Sequence, residues 1–220
     1  MAGNENEMNR EMNHHREMPQ EAMRGEREAD AFEIRRRIRR EALNAREAMS
    51  PEERRRGSLL MTERILGHQW FYGSEIFLCF VSYGSEIDTH ELLAEAVRLG
   101  KRVYVPKVTN VSEERKMHFY RMTDLSELSE GYKGIPEPSG ISEEYRYRET
   151  EAERTLLLMP GAAFDGFRNR LGYGRGFYDS FLSDKAALQL RTIAVGFRCQ
   201  MVEEIPEREG DIRPYQVICL

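Results

Sequence analysis

The chain has 220 residues, 40% hydrophobic and 32% charged, enough apolar material for one sizeable core beneath a heavily solvated surface. A formal net charge of −5 gives no general attraction to nucleic acid or anionic membranes. The three scattered cysteines (Cys79, Cys199, Cys219) argue against a disulfide framework and for a reducing compartment. Nine acidic residues against four arginines between Met1 and Glu33 account for the whole net charge, so the rest is neutral. No run approaches the ~20 apolar residues of a membrane span. The first residues also lack the apolar core of a signal peptide, so the expected location is cytoplasmic.

Residues 1–31 are rich in Glu, Asn, Met and Arg without apolar periodicity and read as a disordered tail. His14 and His15 sit there with nothing nearby to complete a metal site. Residues 32–220 read as a single domain. From Phe32, the positions Ile34, Ile38, Ala42, Ala45 and Met49 recur at helical spacing. Ser50-Pro51-Glu52-Glu53 opens a second helix with a capping box, and Leu59, Leu60, Ile65 and Leu66 continue it to Gly67.

Ile76 to Val81 is a continuous apolar run, as expected of a strand covered on both faces. Asp88, with Glu91 three residues on, marks the next helix, whose buried side is Leu92, Leu93, Ala96, Val97 and Leu99 before Gly100. Val103 to Val105 then gives a second strand, and the strand–helix–strand order implies a parallel pairing. Met117 to Arg121 looks like another strand, while Gly131 to Gly140 is too turn-rich for a long element. Thr155 to Met159 is a third buried strand. Phe177 to Leu190 reads as helix, Thr192 to Phe197 as strand, and Tyr215 to Leu220 as a further strand. The fold class is therefore α/β, a three-layer, mostly parallel open sheet with helices on both faces.

The chemistry concentrates beyond the end of the third strand, where open parallel sheets bind ligands. Gly172, Gly174 and Gly176 alternate, so a ligand can approach three backbone positions. The N–H groups there and the start of the following helix favour phosphate, and Arg168, Arg170 and Arg175 add fork-shaped donors. Asp179 in the first helical turn could hold magnesium or merely complement the helix dipole. GxGxG alone is weak. It is neither a GxxxxGK(S/T) loop nor, lacking a suitably spaced acid, a dinucleotide fingerprint.

Taken whole, PGAAFDxxxxRLGYGRGFYD (Pro160 to Asp179) resembles the signature of the 5-formyltetrahydrofolate cyclo-ligase family, also called methenyltetrahydrofolate synthetases. Arg35 to Arg39 before AMSPEER, Phe80 to Thr89, Gly100 to Pro106, Gly134 to Pro138, and Ile205-Pro206 with Asp211 agree in order and spacing. The resemblance runs from about Phe32 to the C-terminus. It implies the architecture shared with sugar-phosphate isomerases and acyl-CoA transferases, and an ATP- and magnesium-dependent ligase. Arg35, Arg39 and the segment Arg170, Leu171, Gly172, Tyr173, Gly174, Arg175, Gly176, Phe177 and Tyr178 are expected to bind ATP. Val81 and Glu86, with Tyr173 to Phe177, are expected to meet the folate. Asp179 and Asp211 are the implied magnesium ligands, and Arg170, Tyr178 and Asp179 the implied catalytic groups.

Two departures stand out. The family usually has lysine at Arg35, and often glycine at Arg168, where the arginine could narrow the loop or contact phosphate. The resemblance further implies 5-formyltetrahydrofolate and ATP as partners and a monomeric chain, with neither nucleic acid nor membrane. His90 and His118 are not needed in such chemistry and read as structural or surface residues. Other readings are a phosphate-binding isomerase or transferase relative, a non-catalytic folate or nucleotide binder, and nucleic-acid binding through RRRIRR, the last opposed by the neutral body.

Overall fold

A computed structural model of the chain describes residues 20–111, 114–131, 134–138 and 142–220. Residues 1–19, including His14 and His15, lie outside the described residues. The first helix, α1 (Gln20–Glu47), begins at Gln20 rather than near Phe32, so the last part of the expected tail is helical. Gln20 to Asp30 is rich in Glu, Arg and Ala, which favour a helix by intrinsic propensity even without apolar periodicity.

From Arg35 onward, α1 packs Ile38 and Ala42 against Ala163, Leu171 and Ile205. Helix α2 (Pro51–Leu66) starts at the expected capping box. Ser50 Oγ accepts from Glu53 N at 3.2 Å and the Glu53 carboxylate accepts from Ser50 N at 2.7 Å. Its buried face is Ser58, Met61, Thr62 and Ile65, whereas Leu59 and Leu60 are exposed. Short α3 (Gln69–Gly73) leads into strand β1 (Ile76–Cys79). Cys79 is fully buried, as expected, and burial pushes its thiol up. Thr89 holds the N-cap position of helix α4 (His90–Arg98) without a side-chain cap bond, while the expected Asp88 accepts from His90 N at 2.9 Å. Asp88 turns to His90, Oδ1 to Nδ1 2.6 Å, a contact that lowers the carboxyl to about 2 and raises the imidazole.

Strands β2 (Arg102–Val111) and β3 (Glu114–Met122) form an antiparallel pair much longer than the sequence suggested. β1 pairs with β2 only at Arg102 to Tyr104, so beyond that point Pro106 can sit in the strand without forfeiting a bond on that side. A small hairpin follows, β4 (Leu128–Glu130) with β5 (Pro136–Pro138). Next come β6 (Thr155–Met159) and the short pair β7 (Ala163–Phe164) and β8 (Arg170–Leu171). The expected helix from Phe177 to Leu190 is two pieces, α5 (Phe177–Leu182) and α6 (Ala186–Gln189). Ser183-Asp184 are weak helix formers, and Lys185 leaves helical geometry to set its ammonium 4.8 Å over the Phe181 ring. Strands β9 (Thr192–Gly196) and β10 (Gln216–Cys219) complete the chain.

The main sheet runs β10-β9-β6-β1-β2-β3, parallel throughout except for β3. Alternate residues of the central strands enter two cores. Phe77, Leu156, Leu158, Ile193 and Val195 meet α2, α3 and α4 on one face, and Ile76, Leu78, Leu157, Met159 and Ala194 meet α5 and α6 on the other. Burying each of the larger of these side chains stabilises by about 2 kcal/mol relative to exposure. At the ends of β6 and β9, the Phe164 ring lies where Cβ atoms of Gly161 and Gly196 would be, each only 2.5 Å from it. Glycine at both positions is a packing requirement.

Candidate active site

A cavity of about 330 Å³ opens beyond the carboxyl ends of β1 and β6. Phe80, Val81 and Pro160 form its floor, while Pro106, Val108 and Met117 form one side. Ile135, just before β5, and Glu137 within it close that side, and residues of the segment 172–179 form the roof. The lining is largely apolar with a few charges, the usual composition of a small-molecule site.

The roof depends on its supports. Asp165, 1% exposed, accepts from Phe167 N, Asn169 N, Asn169 Nδ2 and Ile205 N, fixing the turn between β7 and β8. Arg168 takes φ 68° in that turn, a conformation glycine adopts freely. Its guanidinium donates to the Tyr215 carbonyl at 2.8 Å, away from the cavity lining. Gly174 (φ 94°) and Gly176 (φ 65°) supply the left-handed turns that carry the chain over the cavity.

Arg170 is almost fully buried, and its Nη2 donates to Asp179 Oδ1 at 3.0 Å. Asp179 Oδ1 also accepts from Ile212 N at 3.2 Å. Arg170 Nε is buried without a hydrogen-bond partner. Arg39 Nε donates to the Gly172 carbonyl at 2.8 Å, and burial with the neighbouring Arg35 charge lowers its pKa. Arg35 makes a bidentate pair with Asp211 (2.5 and 3.1 Å) and donates to the Pro206 carbonyl at 2.7 Å. Glu86 Oε2 accepts from Tyr83 N at 3.0 Å, and Glu86 Oε1 accepts from the Tyr173 hydroxyl. Burial raises the Glu86 carboxyl despite that hydroxyl, and burial beside Glu86 raises Tyr173.

The expected site residues thus divide. Val81, Glu86, Arg170, Gly172, Tyr173, Arg175, Gly176, Phe177, Tyr178 and Asp179 line the cavity together. Arg35, Arg39, Leu171, Gly174 and Asp211 stand outside the lining: Leu171 is core, Arg39 holds the roof, and Arg35 with Asp211 ties α1 to the segment after Pro206. His90 and His118 pair with Asp88 and Glu144 outside the cavity lining.

Sequence reasoning missed Arg46 and Glu137. Arg46 falls four residues after Ala42 on the buried face of α1, where an arginine is out of place; that was the available signal. Glu137 lies in a turn-rich stretch with no periodicity. It is 7% exposed and accepts from Val108 N at 3.1 Å.

The 5-formyltetrahydrofolate cyclo-ligase family matches residues 31–219. The chain belongs to that family. A 5-formyltetrahydrofolate cyclo-ligase of Mus musculus is 29% identical over 177 residues, covering 78% of this chain and 86% of the mouse protein. The cyclo-ligase of Escherichia coli K12 is 29% identical over 167 residues, 76% of this chain and 90% of its own. The 5,10-methenyltetrahydrofolate synthetase of Aquifex aeolicus superposes with a TM-score of 0.66 at 27% identity, covering 82% of this chain and 87% of that one. A Mycoplasma pneumoniae structure at 15% identity and a TM-score of 0.62 supports the fold alone. As a member of the cyclo-ligase family, the chain is an enzyme converting 5-formyltetrahydrofolate to the methenyl compound. Among the described residues, no helix is long and apolar enough to cross a membrane.

Proposed function

We propose that the reaction is driven by magnesium-ATP and proceeds through phosphorylation of the formyl oxygen. The observation carrying this reading is that Glu86 and the Arg170–Asp179 pair line one cavity. Glu86 suits the donor-rich edge of a pterin, and Arg170 and Arg175 suit phosphate oxygens. The partnerless Nε of buried Arg170 is a donor awaiting an acceptor, which a phosphate oxygen would satisfy.

In this scheme the formyl oxygen attacks the γ-phosphorus and ADP departs. N10 then attacks the formyl carbon and loses its proton, and the C–O bond breaks to release phosphate and leave the methenyl bridge. The residues' work is to position the two substrates and to balance charge, with no nucleophilic side chain required. Arg39 holds the roof through Gly172, and Arg170 holds Asp179.

Asp179 is the residue we assign to magnesium, with Oδ2 available while Oδ1 accepts from Arg170 and Ile212. Among the described residues no cluster of three or more acidic, His or Cys side chains could hold a metal. A magnesium ion bound through one carboxylate, phosphate oxygens and water fits that donor set, and would neutralise charge developing on the phosphates. Asp211, engaged by Arg35 through both oxygens, serves in this arrangement as a tie between segments. The protein is proposed to act as a cytoplasmic monomer.

The test mixes protein, 5-formyltetrahydrofolate and magnesium-ATP and follows near-ultraviolet absorbance. The methenyl band should grow only with both ATP and magnesium. Growth without ATP would overturn the phosphorylation scheme.

A further inference from the structure

Arg46 is a charge that neither the glycine motif nor the helical pattern explains. It is 6% exposed near the end of α1 and lines the cavity. Its Nε donates to Ser85 Oγ at 3.0 Å and its Nη1 to the Tyr173 hydroxyl at 2.7 Å. Tyr173 in turn donates to Glu86. One arginine therefore joins three segments distant in sequence: α1, the turn after β1, and the roof loop. Its two acceptors are neutral, and a guanidinium withdrawn from water needs compensation. The carboxylate of Glu86, reached through the Tyr173 hydroxyl, provides it, and each hydrogen bond polarises the next.

We propose that Arg46 is a positioning residue for the folate end of the site, holding Tyr173 and the roof loop against Glu86. The same contacts favour the charged form of the Glu86 carboxyl against its burial. The proposal rests on the pterin-binding role assigned to Glu86 above. Tyr173 from the loop, Arg46 from α1 and Tyr178 from α5 are the titratable or charged groups coupled to Glu86. Arg170, Arg175, Asp179 and Glu137 line the same cavity. Burial pushes the Glu86 carboxyl up, while the Tyr173 and Tyr83 hydrogen bonds and the Arg46 charge pull it down. Removing Arg46 should therefore raise it further, so that folate recognition, which falls away on acidification, is lost at a higher pH.

The experiment is the pH profile of kcat/KM for 5-formyltetrahydrofolate on the full chain, for wild type, Arg46→Met, Arg46→Lys and Tyr173→Phe. Arg46→Met should raise the folate KM roughly tenfold, with a much smaller change in the ATP KM. Its acid limb should move up by about one pH unit. Arg46→Lys should bring the limb back towards wild type because it keeps the charge, while restoring KM only in part because it lacks the fork. Tyr173→Phe should move the limb in the same direction, and the Arg46→Met/Tyr173→Phe double variant should move it by less than the sum of the two single shifts, because part of the effect of Arg46 runs through Tyr173.

An unmoved limb in Arg46→Met, or equal rises in both KM values, would overturn the proposal. Should Arg46→Met fail to fold, an unmoved limb in Tyr173→Phe does the same. Glu86→Gln separates the two ideas. If it leaves the folate KM unchanged, the role of Glu86 fails and this inference with it. If it raises that KM while the Arg46 variants leave the limb in place, only the inference fails.

Discussion

The floor of the cavity consists of residues such as Phe80 and Val81, 3% and 2% exposed, at the end of a strand packed on both faces. The roof contains Tyr173, 44% exposed, between glycines of which Gly174 and Gly176 have positive φ. Close packing holds the floor, including the Phe164 ring lodged against Gly161 and Gly196. Three arginine arms hold the roof: Arg39 to Gly172, Arg46 to Tyr173 and Arg170 to Asp179. Packing is lost all at once, whereas individual hydrogen bonds can be exchanged for substrate contacts. A floor that fixes geometry and a roof that can be re-tied is a sensible division for an enzyme that must admit two ligands.

Substitutions can separate these two kinds of support. The largest effect is expected at Asp179, which belongs to the roof's anchorage and to the proposed metal. Asp179→Ala should lower turnover at least about 100-fold and, by stranding buried Arg170, destabilise by about 3 kcal/mol. Near wild-type turnover in magnesium-ATP would remove Asp179 from the metal site. Gly196→Ala attacks the floor, since its Cβ would lie 2.5 Å from Phe164. We expect a loss of about 2 kcal/mol in denaturant unfolding, with both KM values little changed in the folded fraction. Gly174→Ala attacks the roof, where φ is 94° and no packed atom lies closer than 3.8 Å to the new Cβ. It should cost only about 1 kcal/mol of stability yet raise KM several-fold. A reversal of the two patterns would show that packing, not hydrogen-bonded arms, sets the roof.

The sheet was legible because Ile76 to Cys79, Thr155 to Met159 and Thr192 to Gly196 are apolar runs of strand length between turn signals, as a doubly covered strand requires. The Ser50 box was legible because capping is local. The length of β2 was not, since its tolerance of Pro106 depends on how short its neighbour β1 is. The break between α5 and α6 turns on where Lys185 finds aromatic rings, again a tertiary matter. In the site, the glycine loop and its charges could be read from a contiguous motif. Arg46 left only the signal of a charge on the buried face of α1, and Glu137 left none, because each reaches the cavity from an element outside that motif. Arg168 shows the converse: its type suggested a phosphate contact, but its backbone turn directs it to Tyr215.

The central claim is that one cavity holds the folate at Glu86 and the nucleotide at Arg170 and Asp179. Its most direct test is the pair of KM values for Glu86→Gln, each measured with the other substrate saturating. The folate KM should rise roughly tenfold while the ATP KM stays within about twofold of wild type. A rise confined to ATP, or no rise in either, would contradict the assignment of Glu86 to the folate end.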